Sequence, residues 1–298
     1  MTTSGRTLFW ITLFSLWSVQ AQPQLQIFPY QGEDRIYYLY LPDSLMADPP
    51  LIFVLHGYSG LAASIMGYTG LNQLAEDNSF AVYYPRGSSD DWDCNFWNVG
   101  YAFHENETVD DVGFLSSLAQ YLQAEYSLSP YNTFSIGMSN GGEMSYMLAC
   151  QANDIFKAIA SVAGMIMEEI YNTCESISIP VFEINGTQDD INWWGGDPNN
   201  IGGWGYYIGV LQVIDFWVQT NNCNQTLIDT FPDINSTDGS IVVAEKHTAC
   251  FNDNEVWLYK VVEGGHDWPG AWGNMDINAS IEIWNFFSQF LLHFNMVT

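Results

Sequence analysis

Basic residues are scarce in this sequence: Lys and Arg number 6 against 34 Asp and Glu, which leaves the chain at a formal charge of −28. With no basic patch to oppose like-charge repulsion, neither nucleic acid nor an anionic lipid surface is expected as a partner. Long apolar runs are missing too. The leading stretch Leu8 to Trp17 is well short of the ~20 residues that span a bilayer, so no stable membrane association is expected. Arg6 precedes that stretch and Val19-Gln20-Ala21 follows it. Residues 1–21 therefore read as a signal peptide, and the expected product is secreted, extracellular or periplasmic. Neither HExxH nor closely spaced Cys or His pairs occur, which argues against a metal. No repeat, low-complexity tract or Pro/Ser-rich linker divides residues 22–298, so they read as one domain with a large core.

What acidity leaves open is solubility, and salt would screen the self-repulsion that comes with it. Five cysteines are present, Cys94, Cys150, Cys174, Cys223 and Cys250, and export would favour disulfides among them. An odd count leaves at least one thiol unpaired within the chain, and two bridges among five can be drawn in about 15 ways, 5 free thiols times 3 pairings. Asn-x-Ser/Thr sequons begin at Asn106, Asn185, Asn224, Asn235 and Asn278. They bear on surface chemistry only in a glycosylating host.

Strand-like and helix-like blocks alternate along the chain. The segment from Arg35 to Pro42 is rich in β-branched and aromatic residues. Leu51 to Leu55 and Phe80 to Tyr84 are short continuous apolar runs of the kind buried on both faces of a parallel sheet. From Asp110, the residues Val112, Leu115, Leu118, Ala119 and Leu122 recur at helical spacing, with acids at the start to suit the macrodipole. Strands follow at 132–136, 158–163, 180–184 and 256–262, with helices at 142–151, 207–218 and 279–294. This alternation predicts an α/β fold, a mostly parallel central sheet with helices on both faces.

Four loops after predicted strands carry the chemistry. Gly137-Met138-Ser139-Asn140-Gly141 matches G-x-S-x-G, a strand-to-helix turn whose glycines leave room for a sharply turned serine. His56-Gly57-Tyr58-Ser59-Gly60 follows Leu51 to Leu55, where a loop can donate a backbone N–H to an oxyanion; Tyr58 N–H is the expected donor, with Asn140 N–H as the second. Asn185-Gly186-Thr187-Gln188-Asp189-Asp190 puts two acids at a third strand end, and Gly264-Gly265-His266 puts a histidine at a fourth. The order Ser139, Asp189, His266 is that of α/β-hydrolases, with serine as nucleophile, histidine as base and aspartate orienting the base.

Taken together, LHGYSG (55–60), WN (97–98), VDDVGF (109–114), GMSNGGEMSYMLAC (137–150), SVAG (161–164), NGTQD (185–189) and GGHDWPG (264–270) resemble the secreted esterases grouped with polyhydroxybutyrate depolymerases and feruloyl esterases. The likeness runs from about Arg35 to Phe294. It implies an α/β-hydrolase catalytic domain over residues 22–298, ester hydrolysis without a cofactor, and the triad Ser139, Asp189 and His266. The resemblance also selects the bridges Cys150–Cys174 and Cys223–Cys250, leaving Cys94 free. The second would close a polar excursion with little apolar content. The chain departs from the family at Asn185, where histidine is usual, at Arg86, and in a shorter turn before Gly195-Gly196, which keeps Asp190 as a fallback for the acid.

The implied reaction is acyl transfer: His266 takes the Ser139 proton, Ser139 attacks the carbonyl, and water repeats the attack on the acyl-enzyme. The expected partner is a small ester, or an ester of a polyester or polysaccharide; feruloyl, short-chain acyl and aliphatic polyester substrates all fit, and oligomeric state is left open. Trp97, Trp193, Trp194 and Trp268 lie on loops near these motifs and are candidate walls of a substrate cleft. Two rival readings use the same fold: a peptidase, and an inactive carbohydrate-binding protein with exposed tryptophans.

Overall fold

The structure is a computed structural model that describes residues 22–175 and 177–292; the expected signal peptide lies outside the described residues. The chain opens with the hairpin β1 (Gln24–Tyr30) and β2 (Glu33–Tyr40), then β3 (Leu51–Leu55), α1 (Ala62–Thr69), α2 (Leu71–Asn78) and β4 (Ala81–Pro85). A small ribbon, β5 (Ser88–Ser89) with β6 (Asn95–Phe96), leads to α3 (Asp111–Tyr126), β7 (Thr133–Met138), α4 (Asn140–Gln151), β8 (Ala158–Val162), α5 (Glu168–Thr173) and β9 (Val181–Gly186). A second ribbon, β10 (Gly196–Asp197) with β11 (Tyr207–Ile208), precedes α6 (Val210–Thr220), β12 (Gln225–Thr230), β13 (Ile241–Thr248), β14 (Val256–Val262) and α7 (Ala279–Phe287).

The main sheet has the order β1-β2-β4-β3-β7-β8-β9-β14-β13-β12. Its centre, from β4 to β14, is parallel, and antiparallel strands close both flanks. The central strands β3, β4, β7, β8 and β9 are buried along their whole length, which is why β3 and β4 read as unbroken apolar runs rather than alternating ones. Alternate residues of β3 feed two cores. Leu51, Phe53 and Leu55 pack with Leu115 and Leu118 of α3, Met144 and Leu148 of α4 and Trp217 of α6. Ile52 and Val54 pack with Ile65 of α1 and Ile283, Phe286 and Phe287 of α7 on the other face.

Several sequence expectations change. The region between Cys223 and Cys250 is not a bare polar excursion: β12 pairs with β13 in antiparallel register from Gln225↔Thr248 to Thr230↔Val243. Every residue of β12 is exposed, so the strand is held by ladder hydrogen bonds to its neighbour and buries no apolar face. Helices α1 and α2 and strand β1 carry no expectation in the alternation above. The helix expected over 279–294 ends at Phe287 and tightens into a 3₁₀ turn over Ser288–Phe290, its expected end lying outside the described residues. Disulfides join Cys150 to Cys174 and Cys223 to Cys250, and Cys94 is a free, half-buried thiol.

Candidate active site

Parallel strands end together, so β7, β8, β9 and β14 deliver their following loops to one edge of the sheet. Ser139 follows β7 and caps α4 with φ 55° and ψ −124°, a backbone state that costs a non-glycine residue about 1–3 kcal/mol. Surrounding glycines permit it. A Cβ on Gly137 would lie 2.0 Å from the Gly141 carbonyl, and one on Gly141 would lie 2.1 Å from the Leu55 oxygen. The turn is held by Ser139 N–H donating to the Val162 carbonyl at 2.8 Å. Half-buried at the positive end of a helix, the serine hydroxyl sits where a developing negative charge is favoured.

His266 and Asp189 are stitched together by their loops. Gly186 at the end of β9 has no room for a side chain, since a Cβ would lie 2.3 Å from the Gly264 and Gly265 oxygens. Thr187 N–H donates to the Val261 carbonyl and Gln188 N–H to Gly264 O, both at 2.9 Å. His266 Nδ1 then lies 2.8 Å from Asp189 Oδ2. Asp189 is buried, and its Oδ1 accepts from Ile191 N–H at 2.9 Å and Asn192 N–H at 2.8 Å. With both oxygens engaged, the carboxylate cannot rotate freely and fixes the ring's neutral tautomer, with the proton on Nδ1 and the lone pair on Nε2. Asp190 is exposed, and only its carbonyl is drawn into the site, accepting from Trp193 Nε1 at 3.2 Å. The ring therefore pairs with Asp189, and the Asp190 carboxylate stands apart from it.

The opposite wall is the loop after β3. A Cβ on Gly57 would stand 3.3 Å from Ser139 Cβ, so this loop lies against the serine. Among the described residues neither Tyr58 N–H nor Asn140 N–H has an acceptor within the chain. Their positions are set by side chains. Asn140 accepts from Trp97 N–H at 2.7 Å and donates to the Trp97 carbonyl at 3.0 Å, while Trp97 Nε1–H donates to His56 O at 2.9 Å. Asn95 anchors the next turn, accepting Ser59 N–H at its carbonyl and donating to Gly60 O at 2.9 Å; Arg86 holds that asparagine at 2.8 Å. His56 accepts Gly87 N–H at Nε2, so its Nδ1–H donates to Gly57 O. Burial pushes the His56 ring down to about 4, with Arg86 and Arg35 adding to the effect against the Gly57 bond, and it stands neutral as a strut.

The VDDVGF motif acts one layer further out. Asp111 pairs with Arg35 at 2.7 Å and accepts Asn98 N–H at 2.8 Å, which locks the segment carrying Trp97. Asp110 caps α3 through Gly113 N–H at 2.8 Å and accepts the Tyr30 hydroxyl at 2.8 Å. A Cβ on Gly113 would collide with both groups.

The four tryptophans divide. Trp97 and Trp268 are 0% and 1% exposed, which corrects their assignment to a cleft wall: they are core side chains. Trp193 and Trp194 are half-buried, and Trp194 leans on the core. Trp272, 37% exposed, is an aromatic beside His266 that the motifs did not single out; its indole N–H reaches the His266 carbonyl at 3.5 Å. Tyr58 itself joins a cluster of Tyr101, Phe103 and Trp204, at 5.6–6.2 Å between ring centroids. Its hydroxyl donates to Asp90 at 2.6 Å. Burial opposes ionisation of Asp90, yet bonds from Tyr58, Cys94 N–H, His104 and Trp92 N–H outweigh it and hold that carboxyl at about 2.

Two more residues here escaped sequence reasoning. Glu143 on α4 and Asn192 after β9 are both buried and joined at 3.2 Å. An acid as the one charged residue in the Gly142–Cys150 segment was a visible signal for the first. Asn192 had none.

Residues 35–190 match the family model described as Esterase PHB depolymerase. The match takes in the serine turn and Asp189 and ends before His266. A putative esterase of Nocardia uniformis is 29% identical over 54% of this chain and 46% of its own length. Feruloyl esterase B of Thermothelomyces thermophilus is 32% identical over 43% of each chain. The chain thus spans less than half the length of these relatives. Among solved structures, the acetyl xylan esterase from Aspergillus awamori superposes with a TM-score of 0.59 over 90% of this chain and 100% of that one, at 14% identity. The architecture is that of the α/β-hydrolases. With more than half of its residues matched by the family model, the chain belongs to the esterase PHB depolymerase family.

Proposed function

We propose that this protein is a serine carboxylic-ester hydrolase in which Ser139 is the nucleophile, His266 the general base and Asp189 the residue that orients and charges the base. The observation that carries this reading is the 2.8 Å contact between His266 Nδ1 and a buried Asp189, on the same sheet edge as a serine at φ 55° on a helix N-terminus. His266 Nε2 takes the hydroxyl proton as Ser139 Oγ attacks the ester carbonyl. Tyr58 and Asn140 N–H groups hold the tetrahedral oxyanion, each worth about 10²–10³ in turnover. The alcohol leaves with the proton from His266, and water, activated by the same base, releases the acid from the acyl-enzyme.

The relatives' names supply the substrate classes: feruloyl esters and acetyl groups on xylan, with short acyl esters and aliphatic polyesters beside them. Strong acidity favours uncharged substrates over anionic ones. The two disulfides support an oxidising destination, and residues 22–298 act as one catalytic domain after removal of residues 1–21. Purified protein is to be assayed on p-nitrophenyl esters of graded chain length, methyl ferulate, acetylated xylan and hydroxybutyrate oligomers. Hydrolysis that disappears in Ser139→Ala supports the reading; hydrolysis that persists in that variant refutes it.

A further inference from the structure

Glu143 is an odd residue for its place. It lies one turn into α4, with its N–H donating to the Ser139 carbonyl at 2.9 Å, and is 2% exposed. Its Oε1 accepts from Asn192 Nδ2 at 3.2 Å, while Oε2 is buried without a hydrogen-bond partner. An incompletely satisfied buried carboxyl is costly to a fold, and neighbouring Met144 and Leu148 show that this helix packs well with apolar residues. Stability alone does not account for an acid here.

The contacts of Asn192 suggest what does. Its amide group donates to Glu143 and, at 2.6 Å, to the Ala163 carbonyl, and its backbone N–H donates to Asp189 Oδ1 at 2.8 Å. A single residue therefore links the carboxyl of Glu143 to the carboxylate that holds His266. The titratable groups facing Glu143 are Tyr101 from the segment after β6, Tyr207 from β11 and His266 from the loop after β14, with Asp189 one residue removed through Asn192. Burial pushes the Glu143 carboxyl up to about 7, and Tyr101, Asn192 and the His266 ring restrain that rise. Coupling between two sites is reciprocal. If a charged imidazole favours ionised Glu143, ionised Glu143 favours the charged imidazole.

We propose that Glu143 is a positioning residue for acyl transfer: through Asn192 it fixes the Asp189 loop, and its charge joins that of Asp189 in stabilising the protonated His266 ring formed when Ser139 is activated. This rests on the triad reading above. Glu143→Gln keeps the volume and one oxygen to accept from Asn192, and exchanges the charged Oε2 for a neutral NH2 group; Glu143→Asp returns the charge.

The test is the rate at which a serine-directed fluorophosphonate labels Ser139 from pH 5 to 9, in the wild-type protein and both variants, with kcat and KM on one ester. Glu143→Gln is expected to move the acid limb of the labelling profile to lower pH. Its plateau rate and kcat should fall about three- to tenfold with KM unchanged, tenfold corresponding to one pH unit of lost imidazolium stabilisation. Glu143→Asp is expected to return the limb toward its original place. Wild-type rate and limb in Glu143→Gln would overturn the proposal, as would equal losses in both variants with an unmoved limb. Failure of wild-type Ser139 to label at all would overturn the triad reading itself, a result distinct from either.

Discussion

Gly137 and Gly141 meet across the turn that carries Ser139, so closely that a Cβ on the first would fall 2.0 Å from the carbonyl carbon and oxygen of the second. Neither glycine has a positive φ; what the turn needs from them is missing bulk, while the positive φ is borne by the serine. Gly137→Ala is therefore expected to destabilise the fold by about 3 kcal/mol, the upper end of overpacking costs, because the obstacle is backbone and cannot swing aside. Denaturant unfolding measures it. A variant as stable as the wild type would show that the turn relaxes.

Asp189→Asn should lower kcat by about 10⁴, since an amide at that position can hold the wrong imidazole tautomer. Asp190→Asn should leave kcat close to wild type, its carboxylate being exposed and uninvolved with the ring. Steady-state rates on one activated ester decide the ranking, and the reverse order would move the role to Asp190.

Glu183 on β9 is buried beneath the same edge, accepting the Tyr146 hydroxyl at 2.7 Å and Asn185 Nδ2 at 3.2 Å. Burial pushes its carboxyl up to about 8 against these bonds. A raised folded-state value means that the folded protein holds this proton more tightly than the unfolded chain. The contribution is then fully present below the ordinary glutamate range and is lost as pH rises through about 8. Glu183→Gln does not titrate. The melting temperature of the wild type minus that of the variant should therefore decline steadily from pH 4.5 to about 8, and a difference that is constant over this window would contradict the assignment.

The Cys150–Cys174 bridge ties the end of α4, the helix behind Ser139, to the segment entering β9, which leads to Asp189; the two cysteines are 24 residues apart in sequence. Replacing both with alanine should cost about 3 kcal/mol by the chain-entropy estimate for a loop of that size. Non-reducing peptide mapping should recover the 150–174 and 223–250 pairs with Cys94 alone. A linked fragment containing Cys94 would contradict the pairing.

Most of the sheet edge was legible because local patterns announce it. Continuous apolar runs such as Leu51–Leu55 mark strands buried on both faces, and the HG, G-x-S-x-G, NGTQD and GGH turns directly follow segments that read as strands. What stayed hidden depends on partners distant in sequence. Strand β12 exposes every side chain, so only its ladder with β13 makes it a strand. Trp97 and Trp268 stand next to motifs, and adjacency says nothing of direction: both point into the core. Asn192 is a loop asparagine like many others until folding sets it between Glu143 and Asp189.

The proposed chemistry depends most directly on Ser139. Incubation of the purified protein with a serine-directed phosphonate, followed by intact-mass measurement and peptide mapping, is predicted to give one adduct per chain on the peptide containing Ser139. Labelling should fall at least about 10³-fold in His266→Gln, as expected when a triad loses its base. No adduct, or an adduct on another serine that forms equally well without His266, would contradict it.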